Sequence, residues 1–332
     1  MASWSDPAAE LFNAPLSNVR LMDALRAAQA EVAHLRIVEE APHYTAALTA
    51  GLQRVGQLAL LLGMGPVAVI ALTEALALTP LPAIRSTLGR ALSLNGQYKA
   101  AQEMLAQAQS ESAAELPLAQ LGLAICAHDA GDWPAVFAAL DSAEPHLNGE
   151  KWAHYALNAR FIRAEGFIRL NRVPDAQSAL DQLDSQTSQS AQRWYRPEWY
   201  ALKARLMLTS GDPHGAEKAA RLGLGAVDDR GNGQMLPTLY RTLAGALERD
   251  RSGSSIDDAR DARHRSLLAA HNRGPQIELA RALYEIGMHY KLYASLPTRR
   301  ARGVGYMYEA DKRYQAMGVP APDVDRAAVP LL

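Results

Sequence analysis

The sequence predicts an all-α protein built as a solenoid of stacked antiparallel helix pairs, and three observations carry that reading. The 332 residues include 62 Ala and 46 Leu against 13 Val and 9 Ile. Ala and Leu lose little freedom in a helix, whereas β-branched residues favour strands. A turn signal recurs along the chain at Gly63, Gly96, Gly131, Asn171 and Gly211, with weaker equivalents near Arg251 and Ala294, at spacings of 33, 35, 40, 40, 40 and 43 residues. Seven residues before these anchors stand Gly56, Gly89, Ala124, Ala164, Ala204, Ala244 and Gly287, all of them small.

The elements follow in order. Residues 1–17 are expected to be irregular. Residues 18–48 hold a capping helix and a connection: Leu21, Leu25, Ala28, Val32 and Leu35 recur at 4-3-4-3 spacing after Ser17, a suitable N-cap. The pattern lasts only two heptads, so it reads as a helix laid on the first repeat rather than a dimerising coiled coil. Residues 49–318 hold about seven helix pairs. In each, Gly or Asn takes the left-handed conformation that ends one helix so that the next can begin. Ala68, Ala101, Val136, Ala176 and Ala216 follow the first five anchors by five residues, and Leu72, Leu105, Leu140, Leu180 and Ala220 follow by nine. Small side chains let the two axes approach, and the Leu positions fill the space between successive pairs. No pair buries its apolar face alone, so the pairs must stack. Register is lost around Arg251-Ser252-Gly253-Ser254-Ser255, read as a flexible loop, and the tail 319–332, with Pro320, Pro322 and Pro330, is expected to be irregular.

At these positions the chain resembles the tetratricopeptide repeat family. The first repeat carries Gly56, Ala59, Gly63, Ala68, Leu72, Ala75 and Pro80 at the family's spacing. The second carries Leu88-Gly89, Leu92, Gly96, Tyr98, Ala101, Leu105 and Ala108. The last matches at Leu283, Ile286-Gly287 and Tyr290, and at Gly303, Met307 and Ala310 once four residues are inserted. The resemblance spans about residues 49–318 and implies a right-handed superhelix. The later, stretched repeats and the closing pattern from Ala282 to Gly318 are similar to the sensor or docking regions of bacterial signalling regulators.

Composition narrows the function. The formal net charge is −1, against an extended nucleic-acid footprint. The most apolar stretch, Leu58 to Leu72, is broken by Gly63, Gly65 and Pro66, and a span needs roughly 20 apolar residues, so no membrane segment is expected. The opening Met1-Ala2-Ser3-Trp4 has no apolar core of a secretory signal. Cys126 is the only cysteine and lies in an apolar run, which reads as a buried thiol. A cytoplasmic protein is expected. His264 and His271 find no carboxylate at metal-ligand spacing, Gly231-Asn232-Gly233 lacks the Lys-Ser/Thr of a phosphate loop, and no nucleophile elbow is present. No cofactor, metal or catalytic residue is expected, and the chain is read as no enzyme.

Two clusters have ordinary readings. Arg299-Arg300-Ala301-Arg302 is read as a solvated helix face. The aromatic block of Trp133, Trp152, Tyr155, Phe161, Phe167, Trp194, Tyr195, Trp199 and Tyr200 is read as core, with a docking surface as the competing reading.

In the family, the first helix of each repeat lines a concave groove. The resemblance carries that role onto Arg90, His128, Asp129, Glu165, Arg169, Arg205 and Arg241, and onto Arg249 and Lys291. Guanidinium forks hold carboxylates bidentately, so the expected partner is a protein or peptide, with an acidic segment or C-terminal carboxylate as its anchor. The family's chaperone-tail clamp needs Lys and Asn where this chain has Gln53 and Gln57, so that partner is not expected. The rival readings are a regulatory sensor for a small molecule or signalling peptide, and nucleic-acid binding through the Arg-lined groove. Homo-oligomers are compatible with the sequence.

Overall fold

The computed structural model describes residues 18–37, 43–149, 152–188, 190–227, 232–250, 253–273 and 275–321. Among them the regular structure is α-helix and short 3-10 turns, with no strand. A single helix, α1 (Asn18–Ile37), precedes seven pairs. They are α2 (Tyr44–Leu61) with α3 (Gly65–Leu78), α4 (Pro82–Leu94) with α5 (Tyr98–Glu111), and α6 (Leu116–Ala130) with α7 (Trp133–Ala143). Then come α8 (Ala153–Arg169) with α9 (Val173–Thr187), α10 (Arg196–Thr209) with α11 (Pro213–Ala226), α12 (Leu236–Asp250) with α13 (Gly253–Arg273), and α14 (Gln276–Tyr293) with α15 (Pro297–Met317). The all-α solenoid expected from the sequence is the observed fold class.

Five anchor residues do the same job by the same geometry. Gly63, Gly96, Gly131, Asn171 and Gly211 have φ of 72°, 76°, 76°, 55° and 82°. The next amide donates to the carbonyl five residues back: Met64 to Ala59, Gln97 to Leu92, Asp132 to Ala127, Arg172 to Phe167 and Asp212 to Met207, all at 2.8 or 2.9 Å. This is the Schellman arrangement, which satisfies the last carbonyls of one helix while turning the chain into the next. Two of the following helices start with an aspartate cap: Asp132 accepts from Ala135 N and Asp212 from Gly215 N.

The chain divides into two compact units. The first is built on the residues up to Gly166, with Gln186–Trp194. Here the seam of α1 is buried at Leu21, Leu25, Ala28 and Val32, and a Cβ at Gly51 of α2 would lie 3.0 Å from Val32 Cγ2. The helix therefore closes this end of the stack. A Cβ at Gly56 would lie 2.4 Å from Leu72 Cγ, so the α2–α3 pair is held at a distance only glycine allows. Ala124, Val136, Ala139, Leu140, Tyr155 and Ala159 continue the core through α6, α7 and α8.

The second unit is built on Phe167–Ser185, Tyr195–Asp228 and the chain from Asn232. Its core is Ala-rich: Ala204, Ala216, Ala220, Ala244, Ala259 and Ala262 pack with Leu243 and Leu247. In the last pair a Cβ on Gly287 would fall 2.8 Å from the carbonyl oxygen of Gly303, and one on Gly303 the same distance from that of Gly287. The backbones of α14 and α15 touch there, with Met307 2.5 Å from the Gly287 position.

Three expectations are corrected, and others lie outside the described residues. The first pair begins at Tyr44, ahead of residue 49; the added turn carries exposed Thr45, Ala46 and Ala47, which leave no apolar signature. The last turn uses no left-handed residue, since Ala294 is extended at φ −75°, ψ 126°, and Leu296 leads into Pro297. Helix α13 already begins at Gly253, which shortens the expected loop, while Arg251 and Ser252 lie outside the described residues. So do the N-terminus 1–17 with its cap Ser17, and 322–332 of the tail. The stretching of the middle repeats resides mainly between pairs: the connections at 79–81 and 112–115 give way to 144–152, 188–195 and 227–235.

Candidate functional site

Three of the expected residues meet in the first unit. His128 and Asp129 lie in the last turn of α6, and Glu165 in α8. His128 Nε2 is 3.2 Å from Glu165 Oε2, and Nδ1 is 3.0 Å from Asp129 Oδ1. The Tyr98 hydroxyl, at the start of α5, donates to Asp129 Oδ2 at 2.9 Å. Burial disfavours the imidazolium, but Glu165 and Asp129 outweigh it and push His128 up to about 9. At neutral pH both ring nitrogens therefore donate. A cation held between two carboxylates is a poor proton acceptor; the chain Tyr98–Asp129–His128–Glu165 ties three helix pairs together instead. The ring of Trp133 meets His128 edge-on, with centroids 5.4 Å apart.

Arg90 does not join them. Its guanidinium lies over the Tyr155 ring, 5.0 Å from the centroid, and its Nε is buried without a hydrogen-bond partner. Burial, reinforced by the Arg90 charge, drives His154 down to about 3, so that imidazole is neutral.

In the second unit the expected residues separate. Arg169 is exposed at the end of α8, and Lys291 is exposed in α14. Arg205, on α10, is partly buried and its charge reaches Glu278. Arg249 donates to the carbonyl of Leu208. Arg241 is not presented to solvent: it is 6% exposed, donates to Glu278 Oε2 at 2.6 Å, and its Nε is 3.3 Å from Glu285 Oε1. A groove cation was expected there; the neighbouring helix instead supplies two carboxylates that draw it inward.

Arg241 belongs to a buried polar web that sequence reasoning missed. Glu278 also accepts from Arg281 at 2.8 Å and from the Thr238 hydroxyl at 3.1 Å. Burial opposes its charge, but Arg241 and Arg281 hold its carboxyl well below the usual range. Arg263 of α13 bonds Glu248 at 2.7 Å and also Glu285, and His289 Nδ1 is 2.8 Å from Glu248 Oε1. Against its burial, Arg263 and His289 bring Glu248 down to about 2. One signal was available: Arg241 and Glu248, and Glu278 and Glu285, each stand seven apart, placing paired charges on single faces of α12 and α14. The hydroxyl of Tyr314, 3% exposed and close to these charges, has no hydrogen-bond partner.

The aromatic block is mostly interior. Tyr155, Phe161, Trp194, Tyr195 and Trp199 are buried, and the Trp199 indole N–H donates to the Leu180 carbonyl at 2.9 Å. No group of His, Cys, Asp and Glu among the described residues is arranged to hold a metal ion, and no helix there is long and apolar enough to cross a membrane.

No family model matches the sequence, and no curated protein does. Solved structures do match. A Rap protein complexed with Competence and Sporulation Factor aligns at TM-score 0.60 and 14% identity, over 90% of this chain and 90% of that one. The Cut9–Hcn1 hetero-tetramer of the APC/C aligns at 0.58 and 12% identity, over 90% of this chain and 54% of that one. Yeast Tom70 aligns at 0.53 and 12%, over 95% and 66%. The chain thus spans about half of the Cut9–Hcn1 chain and just under two thirds of Tom70. The fold is that of the tetratricopeptide repeat. Seen as such repeats, α2, α4, α6, α8, α10, α12 and α14 are the first helices, and every residue of the Tyr98–Asp129–His128–Glu165 chain except Tyr98 is on one. The tetratricopeptide fold also accounts for the close approach at Gly56 and Gly287, where the two helices of a pair cross.

Proposed function

We propose that the chain is a non-enzymatic, cytoplasmic interaction module that takes a protein or peptide partner on its first-helix face. Proteins of this fold generally mediate protein–protein contacts, and the Rap protein it resembles is complexed with Competence and Sporulation Factor. The observation that carries the proposal is the exposed Arg169 at the end of first helix α8, with Arg205 half-buried on the next first helix, α10, of the same unit. Guanidinium groups on these first helices suit a partner's acidic side chain or terminal carboxylate. Capture from native lysate with crosslinking and mass spectrometry tests it, comparing wild type with an Arg169→Glu, Arg205→Glu variant that keeps its helical circular dichroism. A partner crosslinked to this face and lost from the variant supports the reading; equal capture by both moves the interface elsewhere.

A sensor for a small molecule is the second reading. It is favoured by a cleft of about 270 Å³ in the first unit, lined by Leu147, Asn148, Leu157 and Arg160, where the buried Gln186 Oε1 has no hydrogen-bond partner. Ligand-dependent thermal stabilisation by anionic metabolites, retained in the Arg169→Glu, Arg205→Glu variant and lost in Arg160→Ala, would select it.

A further inference from the structure

The two ends of the repeat array are finished differently. At the start, α1 lays a 4-3-4 apolar seam on α2 and buries it. Repeat arrays need such a cover, because each pair buries only the faces its neighbours offer. At the far end α15 buries Gly303, Ala310 and Tyr314 against the rest of the second unit. Its opposite face is Ala301, Val304 and Tyr308, again at helical 3-4 spacing, with Val304 61% and Tyr308 63% exposed. Gly305 lies beside them, exposed, with nothing within 4 Å of a Cβ. Leu292 and Leu296, 49% and 51% exposed, extend the apolar area beside the start of the helix.

Lys312 Nζ lies over the Tyr308 ring, 4.8 Å from its centroid, Glu309 pairs with Arg313 at 3.1 Å, and two further pairs of opposite charge are spaced symmetrically along the seam. Arg300 and Arg302 lie in the first half of α15, Glu309 and Asp311 in the second. At 100° per residue, Arg300 and Asp311 fall on one flank of the seam and Arg302 and Glu309 on the other. Both pairs are centred on the same point, between Gly305 and Tyr306. A two-fold axis through that point, running two copies of α15 antiparallel, sets Arg300 of one copy opposite Asp311 of the other, twice per dimer, while Arg302 and Glu309 lie farther round the helix. The same operation sets Val304 of one copy near Tyr308 of the other. Gly305 and Ala301 let the two backbones approach. A face that is complementary to itself under a two-fold axis is what a closed dimer requires.

We propose that α15 is a homodimerisation surface and that its occupant is a second copy of this chain, packed antiparallel through Ala301, Val304 and Tyr308. Sedimentation velocity of the full chain over a concentration series reads the association directly. Arg300→Asp and Asp311→Arg, each alone, put like charges opposite one another twice per dimer, and each should weaken self-association about tenfold. An equimolar mixture of the two variants should associate again, because both contacts across the mixed pair are then of opposite charge. Arg300 Nε also bonds the Ala294 carbonyl, so Asp311→Arg and a Val304→Ser, Tyr308→Ser variant serve as the folding-neutral arms, with unchanged melting as the control. Three results overturn the proposal: a chain monomeric at every concentration, a dimer indifferent to these variants, or a mixture no stronger than its components. A monomer that dimerises only after removal of residues 322–332 assigns the seam to the tail and overturns it as well.

Discussion

Leu105 occupies the volume that a side chain at Gly89 would need: a Cβ on Gly89 would lie 2.6 Å from Leu105 Cγ. The same leucine stands 2.8 Å from the Cβ position of Gly122 on the next pair. One side chain therefore sets both the spacing inside a repeat and the spacing between repeats.

Gly89→Ala should accordingly destabilise the protein by about 1–3 kcal/mol through overpacking, although alanine is the better helix former. Gly225→Ala, at an exposed helical position with nothing within 4 Å, should have the opposite sign, a gain of up to about 1 kcal/mol. Urea denaturation of the two variants checks both; equal effects would mean that helix propensity, not close approach, decides these glycines.

His128 titrates in the folded state at about 9, above its ordinary value of 6.5. A raised pKa means that its stabilising contribution is complete below about pH 6.5 and is lost as pH rises through about 9. Wild type should therefore lose on the order of 2 kcal/mol between those limits relative to His128→Gln. Parallel denaturation curves at several pH values would show the two proteins converging in alkali.

Glu248→Gln should cost about 3 kcal/mol, because it leaves the buried Arg263 with Glu285 alone and takes the carboxylate from His289. Glu248 is depressed from 4.5 to about 2, so its contribution is present above about pH 4.5 and disappears as pH falls through about 2. The acid limb of the wild-type stability profile should be steeper than that of the variant.

Cys126 is 1% exposed, and burial pushes its thiol up to about 11. Native protein should resist a thiol reagent around pH 8 and take up one equivalent once unfolded. Rapid labelling of the native state would place this residue outside the core.

How much of this was legible in the sequence depends on how local the cause is. The five anchors were readable because a left-handed residue followed by a new apolar phase is a local event, and Gly63 through Gly211 all take that conformation. The small residues at Gly56, Gly89 and Gly287 were readable because their spacing to the anchors is fixed by the pitch of one helix. The turn at Ala294 misled because its chain reversal needs no left-handed residue. At the candidate site, the family pattern named His128, Asp129 and Glu165 but not their mutual bonding, and it named Arg241 as accessible. Whether a charge faces a groove or a neighbouring helix depends on what that neighbour offers. Glu278 and Glu285, some 40 residues downstream, decide the fate of Arg241.

That separation also imposes an order in time on the growing polypeptide. Synthesis runs from the N-terminus, and a repeat whose contacts are all with itself and its predecessor can settle as soon as it has emerged. Helices α12 and α13 cannot. Glu248 meets Arg263 early, but Arg241 has no carboxylate until Glu278 and Glu285 emerge, and Glu248 lacks its imidazole until His289 does. Until α14 has left the ribosome, water must stay on these groups, and the sixth repeat remains hydrated and open. His128 of the third repeat waits in the same way for Glu165 of the fourth, and in the last two repeats the whole set of charges must dry out together.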